Sequence, residues 1–438
     1  MSAHLQTLMG AFRSEYLGFI CGHADLPDAD LADARSILES SDNSPRHADE
    51  FERHFAALLG GGEAVSFASG RMAFHAVLKA LGIGKGDEVI LTGFTCSVMA
   101  NAVWRIGATP VYADIEPSTF GTDPRDLPRK VSTRTRVVVA QHSFGLPCAI
   151  DEIAAWCREK NLPLIEDCAL TLDSRLDGKL AGTWGDAAIF STDHSKPLNT
   201  LTGGLLHTAR PDLAFRVRTI QRAAPSLEPA HQHRLFNRLT IERRYFDQRR
   251  YGLGTLLAKL QGARRRFKER LIGKREYTLL EADFKPRIAA NAYSYPAQMP
   301  AILARIGISE LARWPRIRED RRTSLAALLR IAREHGIAND LPAAYTDPRR
   351  DITPLRLAWV PSQNLHLREK LRRYVDADWF WFPEPVSFSP QGPEDFGYKP
   401  GTCPIAERTG TQILNWPCVA PHPDQGRITR LFAKALAR

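Results

Sequence analysis

Between Glu63 and His207 short apolar runs alternate with stretches whose apolar positions recur every three or four residues. The runs at 64–67, 88–92, 109–114, 136–141, 162–167 and 187–191 are short and rich in Val, Ile, Leu, Phe and Ala, as strands buried on both faces are. The intervening stretches 71–81, 97–106 and 150–160 have helical spacing, and Gly- and Pro-containing turns such as Gly82–Glu88 and Arg105–Pro110 separate the two kinds of segment. Strands alternating with helices predict an α/β fold with a mainly parallel central sheet covered by helices on both faces. Ligands of such sheets bind beyond the carboxyl ends of the strands, so candidate chemistry should follow the apolar runs.

The alternation stops near Ala223. Residues 223–290 are Arg-rich and helical in period and read as an insertion. Residues 291–438 begin with a long helix through His335, pass through an aromatic, Pro-rich stretch at 378–390 and end in a helix after Pro423. The predicted layout is a large domain at 1–222, the insertion, and a smaller C-terminal domain.

Charge sharpens this division. Residues 241–276 carry twelve Lys or Arg against four Asp or Glu, a net +8 out of +10 for the whole chain. The body is therefore nearly neutral, unlike a nucleic-acid binder with a basic face. The basic clusters Arg243-Arg244, Arg249-Arg250, Arg264-Arg265-Arg266 and Lys274-Arg275 interleave with aromatic and leucine residues. The segment is a solvated helical hairpin, a basic amphipathic surface for anionic lipid, or a site for a nucleotide or nucleic-acid partner. No apolar run is long enough to cross a bilayer, and Arg13 and Glu15 interrupt the N-terminus too early for a signal-peptide core. The seven cysteines stand singly, without metal-ligand spacing, so no metal is expected and a reducing, cytoplasmic setting is.

Three short segments carry candidate chemistry. Ser69-Gly70 ends an apolar run and opens a helix, where small residues and backbone N–H groups accommodate a phosphate. Glu166 and Asp167 end another run, as a helix cap or as ligand-facing carboxylates. Lys196 lies in a loop between the run ending at Ser191 and the Gly203-Gly204 pair that opens the next strand. A loop lysine is usually solvated, but one desolvated between core strands can condense with an aldehyde. Together, a phosphate cradle, a carboxylate and an amine meet the needs of pyridoxal phosphate.

At this point the chain resembles the DegT/StrS-type sugar aminotransferases, of fold type I among pyridoxal-phosphate enzymes. The resemblance rests on FERHFAALLG, LGIGKGDEVI, NAVWRIGATPVYADIEPSTF, QHSFGLPCAIDEI, LPLIEDCA, FSTDHSK with its following Gly pair, and PIAERTGTQILNWP. It implies that Lys196 bonds the cofactor aldehyde, that Asp167 holds the pyridine nitrogen, and that Ser191, Ser69, Gly70 and the amide of Arg71 hold the phosphate. The aromatic that stacks on the cofactor ring corresponds by spacing to Cys96, with Phe94 the nearby aromatic. Asn291 falls in the stretch that reaches a neighbouring subunit's phosphate, which implies a homodimer. Arg71 stands where the family has Thr, and Leu170 where it has Gln or His. His142 reads as structural; His194, two residues before the lysine, is an exposed imidazole or an aid to proton transfer.

The implied activity is transfer of an amino group, from glutamate, to a keto group of a nucleotide-linked sugar. A pyridoxal-dependent dehydratase, an aminotransferase for a non-sugar ketone and a catalytically silent binding protein are the alternatives. Lys196 weighs against the dehydratase, whose branch has His in that place.

Overall fold

The computed structural model describes residues 12, 15–18, 23, 25–40, 44–246, 250–273, 280–285, 293–362, 367–375, 381–419 and 425–437. Helices α1 (Asp28–Glu39) and α2 (Arg46–Leu58) lead into the alternating region. There follow β1 (Glu63–Phe67), α3 (Gly70–Ala80), β2 (Glu88–Thr92), α4 (Ser97–Arg105), β3 (Thr109–Ala113), α5 (Leu127–Lys130), β4 (Thr135–Gln141), α6 (Ile150–Glu159) and β5 (Leu164–Asp167). The short strands β6 (Arg175–Leu176) and β7 (Lys179–Leu180) precede β8 (Ala187–Ser191) and β9 (Gly204–Thr208).

The central sheet has seven strands in the order β1-β9-β8-β5-β4-β2-β3. The pairs from β8 through β5, β4 and β2 to β3 are parallel, and β9 alone runs against its neighbours β8 and β1. The sheet is thus mainly parallel, as the alternating pattern predicts. Val137, Val138, Val139 and Ala140 of β4 are all buried, because α3 and α6 cover opposite faces and leave no solvent side. The expected strand at 162–167 begins at Leu164, since Pro163 cannot donate to a ladder and spends its carbonyl on the Val138 N–H.

Beyond the sheet lie α7 (Pro211–Ala223), α8 (Pro229–Tyr245) and α9 (Tyr251–Ile272). Leu235, Phe236 and Leu239 of α8 join the main core, so this helix is packed into the body although it opens the Arg-rich stretch. The C-terminal part is built on α10 (Ala301–Glu334), then β10 (Arg350–Asp351), β11 (Arg356–Trp359), α11 (Leu367–Leu371), α12 (Pro404–Gln412), β12 (Leu414–Pro417) and α13 (Gly426–Leu436). Gly307 of α10 lies so close to Phe51 of α2 that a Cβ there would sit 2.5 Å from the ring. Tight packing of this kind fixes the C-terminal part against the sheet.

Candidate active site

The carboxyl ends of β1, β5 and β8 converge on one corner. At the first, Ser69 caps α3 with an extended backbone (φ −160°), and its carbonyl takes the N–H groups of Met72 and Ala73. The Gly70 and Arg71 N–H groups are those a helix start leaves without intrahelical partners. Ser69 Oγ is buried with no hydrogen-bond partner. A buried hydroxyl left unmatched is costly, and a phosphate oxygen would satisfy it. The approach is open because both neighbours lack a side chain. A Cβ on Gly70 would lie 3.1 Å from Ser191 Cβ, and one on Gly204 would lie 2.3 Å from Gly70 Cα. Ser191 pairs with Gly204 across β8 and β9, which brings its hydroxyl to the start of α3.

Asp167 ends β5, buried, with one carboxylate oxygen taking the Ala169 N–H at 2.9 Å. Burial pushes its carboxyl above the usual range; the Ala169 hydrogen bond, then the charges of Lys196 and His142, pull the other way. A buried carboxylate with so little compensation suits a cationic N–H partner, such as a protonated pyridine nitrogen.

Glu166, one residue earlier, points to the opposite side and has another task. Its Oε1 accepts the N–H groups of Trp184 at 2.6 Å and Gly185 at 2.8 Å, and its Oε2 accepts that of Gly182 at 2.7 Å. His142 Nδ1 accepts the Cys148 N–H, so the ring proton is on Nε2 and is donated to Glu166 Oε2 at 3.0 Å. His142, Glu166 and Cys168 place ligand-type atoms within 4.8 Å of one another. Both imidazole nitrogens and both carboxylate oxygens are already engaged, so the group braces the loops around β5.

The lysine loop is held at both ends. Thr192 and Thr200 share a hydroxyl hydrogen bond of 2.6 Å, and Thr202 Oγ1 donates to Ala68 O at 3.0 Å beside the start of α3. Lys196 is half-buried, and its Nζ lies 5.3 Å from the ring centroid of Trp381, within cation–π range. Trp381 comes from the aromatic, Pro-rich stretch and packs edge-on against Phe144. Sequence reasoning noted that stretch without singling out this residue; the other Trp, Phe and Pro residues around it gave no hint which ring would turn inward.

The structure separates the other predicted residues. Cys96 is half-buried at the start of α4 and feels the charges of Lys196, Arg71 and Asp193, although burial dominates and pushes its thiol up. Phe94 is fully buried, with its ring against those of Phe120 and Phe382, the latter next in the chain to Trp381. The Arg71 side chain leaves the phosphate corner, donating to Asp283 at 2.6 Å and to Leu280 O at 2.8 Å. Leu170 is buried in the core. Asn291 lies outside the described residues.

His194 does not face open solvent. Its Nδ1 is 3.3 Å from Glu242 Oε1 of α8, and its Nε2 is 3.6 Å from Asp193. His23 approaches Glu242 Oε2 with Nδ1 at 3.2 Å and Asn199 O with Nε2 at 2.9 Å. Both His23 partners are acceptors, so both ring nitrogens carry protons and the ring is cationic. Arg238 donates to the same carboxylate at 2.9 Å. Burial works against charge on both imidazoles, yet Glu242, with Asp193 for His194 and Glu310 for His23, holds their pKa values above the usual one. The carboxyl of Glu242 is in turn held well below its usual range by His194, His23 and Arg238, against burial.

A raised histidine pKa stabilises the fold fully below the ordinary value of 6.5, and that contribution fades as pH rises through the folded value. In Glu242→Gln the buried imidazoles lose the carboxylate they share, keep only Asp193 for His194 and Glu310 for His23, and protonate less readily. The stability gap between wild type and variant should therefore be widest below pH 6.5 and narrow as the pH rises above that value. Thermal melts across that range check this; a gap that stays constant would show that the cluster is not charged.

Residues 26–247 match the DegT/DnrJ/EryC1/StrS aminotransferase family. The GDP-perosamine synthase of Vibrio cholerae is 37% identical over 161 residues, 37% of this chain and 44% of that one. The spore coat polysaccharide biosynthesis protein SpsC of Bacillus subtilis is 40% identical over 171 residues, 39% of this chain and 44% of that one. The chain thus matches about half or less of these relatives' length. The structure of DesI in the presence of its TDP-sugar product superposes with a TM-score of 0.67 at 23% identity, covering 99% of this chain and 96% of that one, a likeness of fold. With the family match spanning the phosphate corner, Asp167 and the lysine loop, this chain belongs to the DegT/DnrJ/EryC1/StrS aminotransferase family.

Proposed function

We propose that the chain is an aminotransferase that moves an amino group from glutamate to a keto group of a nucleotide-linked sugar. The observation that carries the reading is the convergence of Lys196, buried Asp167 and the phosphate corner at the ends of three sheet strands. Pyridoxal phosphate, the cofactor of this family, fits these residues. When bound it supplies an electron sink for the carbon that loses a proton. Ser69, Ser191 and the Gly70 and Arg71 amides would hold its phosphate, and Cys96 would lie beside its ring. Asp167 would keep a proton on its ring nitrogen. Lys196 would hold the aldehyde between turnovers and, once displaced by the donor amine, carry the proton to and from the substrate carbon. The Trp381 ring, 5.3 Å from that amine, would favour its charged form.

The nucleotide-linked acceptor is supported by the GDP- and TDP-sugar names of the relatives. The same reading places the enzyme in the cytoplasm, as a homodimer with its active site at the subunit interface. Among the described residues no helix is long and apolar enough to cross a membrane. Incubation with labelled glutamate and a panel of nucleotide-linked keto sugars and simple ketones tests the acceptor class. Label should pass to a nucleotide-linked sugar; label only in a simple amine would replace the sugar reading with a non-sugar acceptor.

A further inference from the structure

Helix α9 presents an apolar ridge to solvent. Leu253, Leu260 and Phe267 are spaced by seven residues and Leu271 follows four later, so at 100° per residue all lie within about 40° of one another. Their side chains are 42%, 57%, 66% and 72% exposed, and Ile272 beside the end is 63% exposed. Large apolar side chains aligned in this way on a surface mark an interaction site.

The ridge is flanked by cations. Arg264 and Lys268 lie along one side, and Lys259, Arg266 and Arg270 along the other. In all, α9 has six basic residues and one acidic residue, Glu269. The shielded face is a different one, formed by Gly262, Arg265 and Glu269, where Arg265 pairs with Glu269 at 3.8 Å and with Glu281 at 3.5 Å. The helix is rooted at its start, where Tyr251 packs on Tyr16 and Phe246 with ring centroids 5.7 and 5.2 Å apart. Gly254 there would bring a Cβ within 2.8 Å of Phe246. The root is thus fixed in the body, while the ridge and its cations face outward.

We infer that α9 docks the protein on an anionic lipid surface. The ridge enters the boundary between headgroups and acyl chains, and the flanking Arg and Lys side chains meet acidic headgroups. A second copy packing its own ridge on this one across a two-fold axis would set Arg264 and Lys268 against like charges. A nucleic acid would satisfy the cations and leave the ridge in water. Acidic lipid satisfies both features at once. The inference is independent of the catalytic reading, since none of these side chains has been placed in the active site.

The test uses the full chain and sedimentation with vesicles. One set is phosphatidylcholine alone; the other contains about one-third phosphatidylserine. Wild type should sediment with the anionic set only, and binding should fall steeply between roughly 50 and 500 mM salt. Leu260→Ser with Phe267→Ser should weaken binding about ten-fold or more, and so should Arg264→Ser with Arg266→Ser. All four side chains are on the surface, and unchanged near-ultraviolet circular dichroism would show that the variants fold. Failure to bind anionic vesicles at low salt overturns the inference. So does binding that ignores the ridge substitutions, which would reduce the segment to a diffuse charge. Light scattering that shows the ridge variant dropping to a smaller oligomer, with vesicles ignored by wild type, would assign the ridge to a second copy.

Discussion

Lys196→Ala is expected to lower amino transfer by roughly a thousand-fold or more, because in the proposed reading one side chain would both hold the cofactor aldehyde and move the substrate proton. The variant should still fold. The loop is closed by bonds that do not involve the lysine side chain, namely Thr192 to Thr200, Thr202 to Ala68 O and His23 to Asn199 O. Added methylamine should restore part of the proton transfer, since a small amine can enter the space vacated near Trp381. Activity close to wild type in Lys196→Ala would remove the lysine from the mechanism; normal stability with no activity would separate chemistry from folding.

Asp167→Asn carries the second large effect. The carboxylate is buried, so in the proposed reading a neutral amide in its place would remove a charge-assisted hydrogen bond worth roughly 1.5–3 kcal/mol to the ring nitrogen. Loss of that proton also weakens the electron sink, so turnover should fall by about a hundred-fold or more while glutamate binding changes little. The apo variant should melt no lower than wild type, because burial raises the carboxyl pKa and the charged form is under-compensated without the cofactor. Loss of apo stability with intact turnover would make Asp167 a structural carboxylate like Glu166.

The contrast between those two neighbours shows where sequence reading stops. Glu166 and Asp167 stand side by side at the end of one apolar run, and alternation along β5 sends them to opposite sides. Which side holds the backbone N–H groups of Gly182, Trp184 and Gly185 depends on a loop about twenty residues away, whose path no local pattern reveals. The strands themselves were legible because burial on both faces leaves a run of apolar residues, and the lysine loop because strands bound it. The reversal of β9 was not legible: its run, Gly204–Thr208, is buried throughout as a parallel strand would be, and only a helix-free connection from β8 limits its direction.

The histidine cluster was hidden for a different reason. Glu242 stands directly before Arg243 and Arg244 in the most basic part of the chain, where one acid reads as part of a solvated face. Only the packing of α8 on the core brings it, fully buried, to His194 and His23. Trp381 is hidden likewise, because nothing in a cluster of aromatic residues says which ring reaches the lysine. Cys96 and Phe94 were both legible only as neighbours of the helix start; the side chain of Phe94 is buried against Phe382, while the Cys96 thiol feels the charges of Lys196 and Arg71.

The central claim is that Lys196 carries the cofactor, and borohydride reduction followed by peptide mapping tests it most directly. Purified protein loaded with pyridoxal phosphate should be yellow, lose that colour on reduction, and yield a phosphopyridoxyl group on the peptide containing Lys196 and on no other peptide. A group mapped to a different lysine, or none on a protein that was yellow before reduction, would contradict the account.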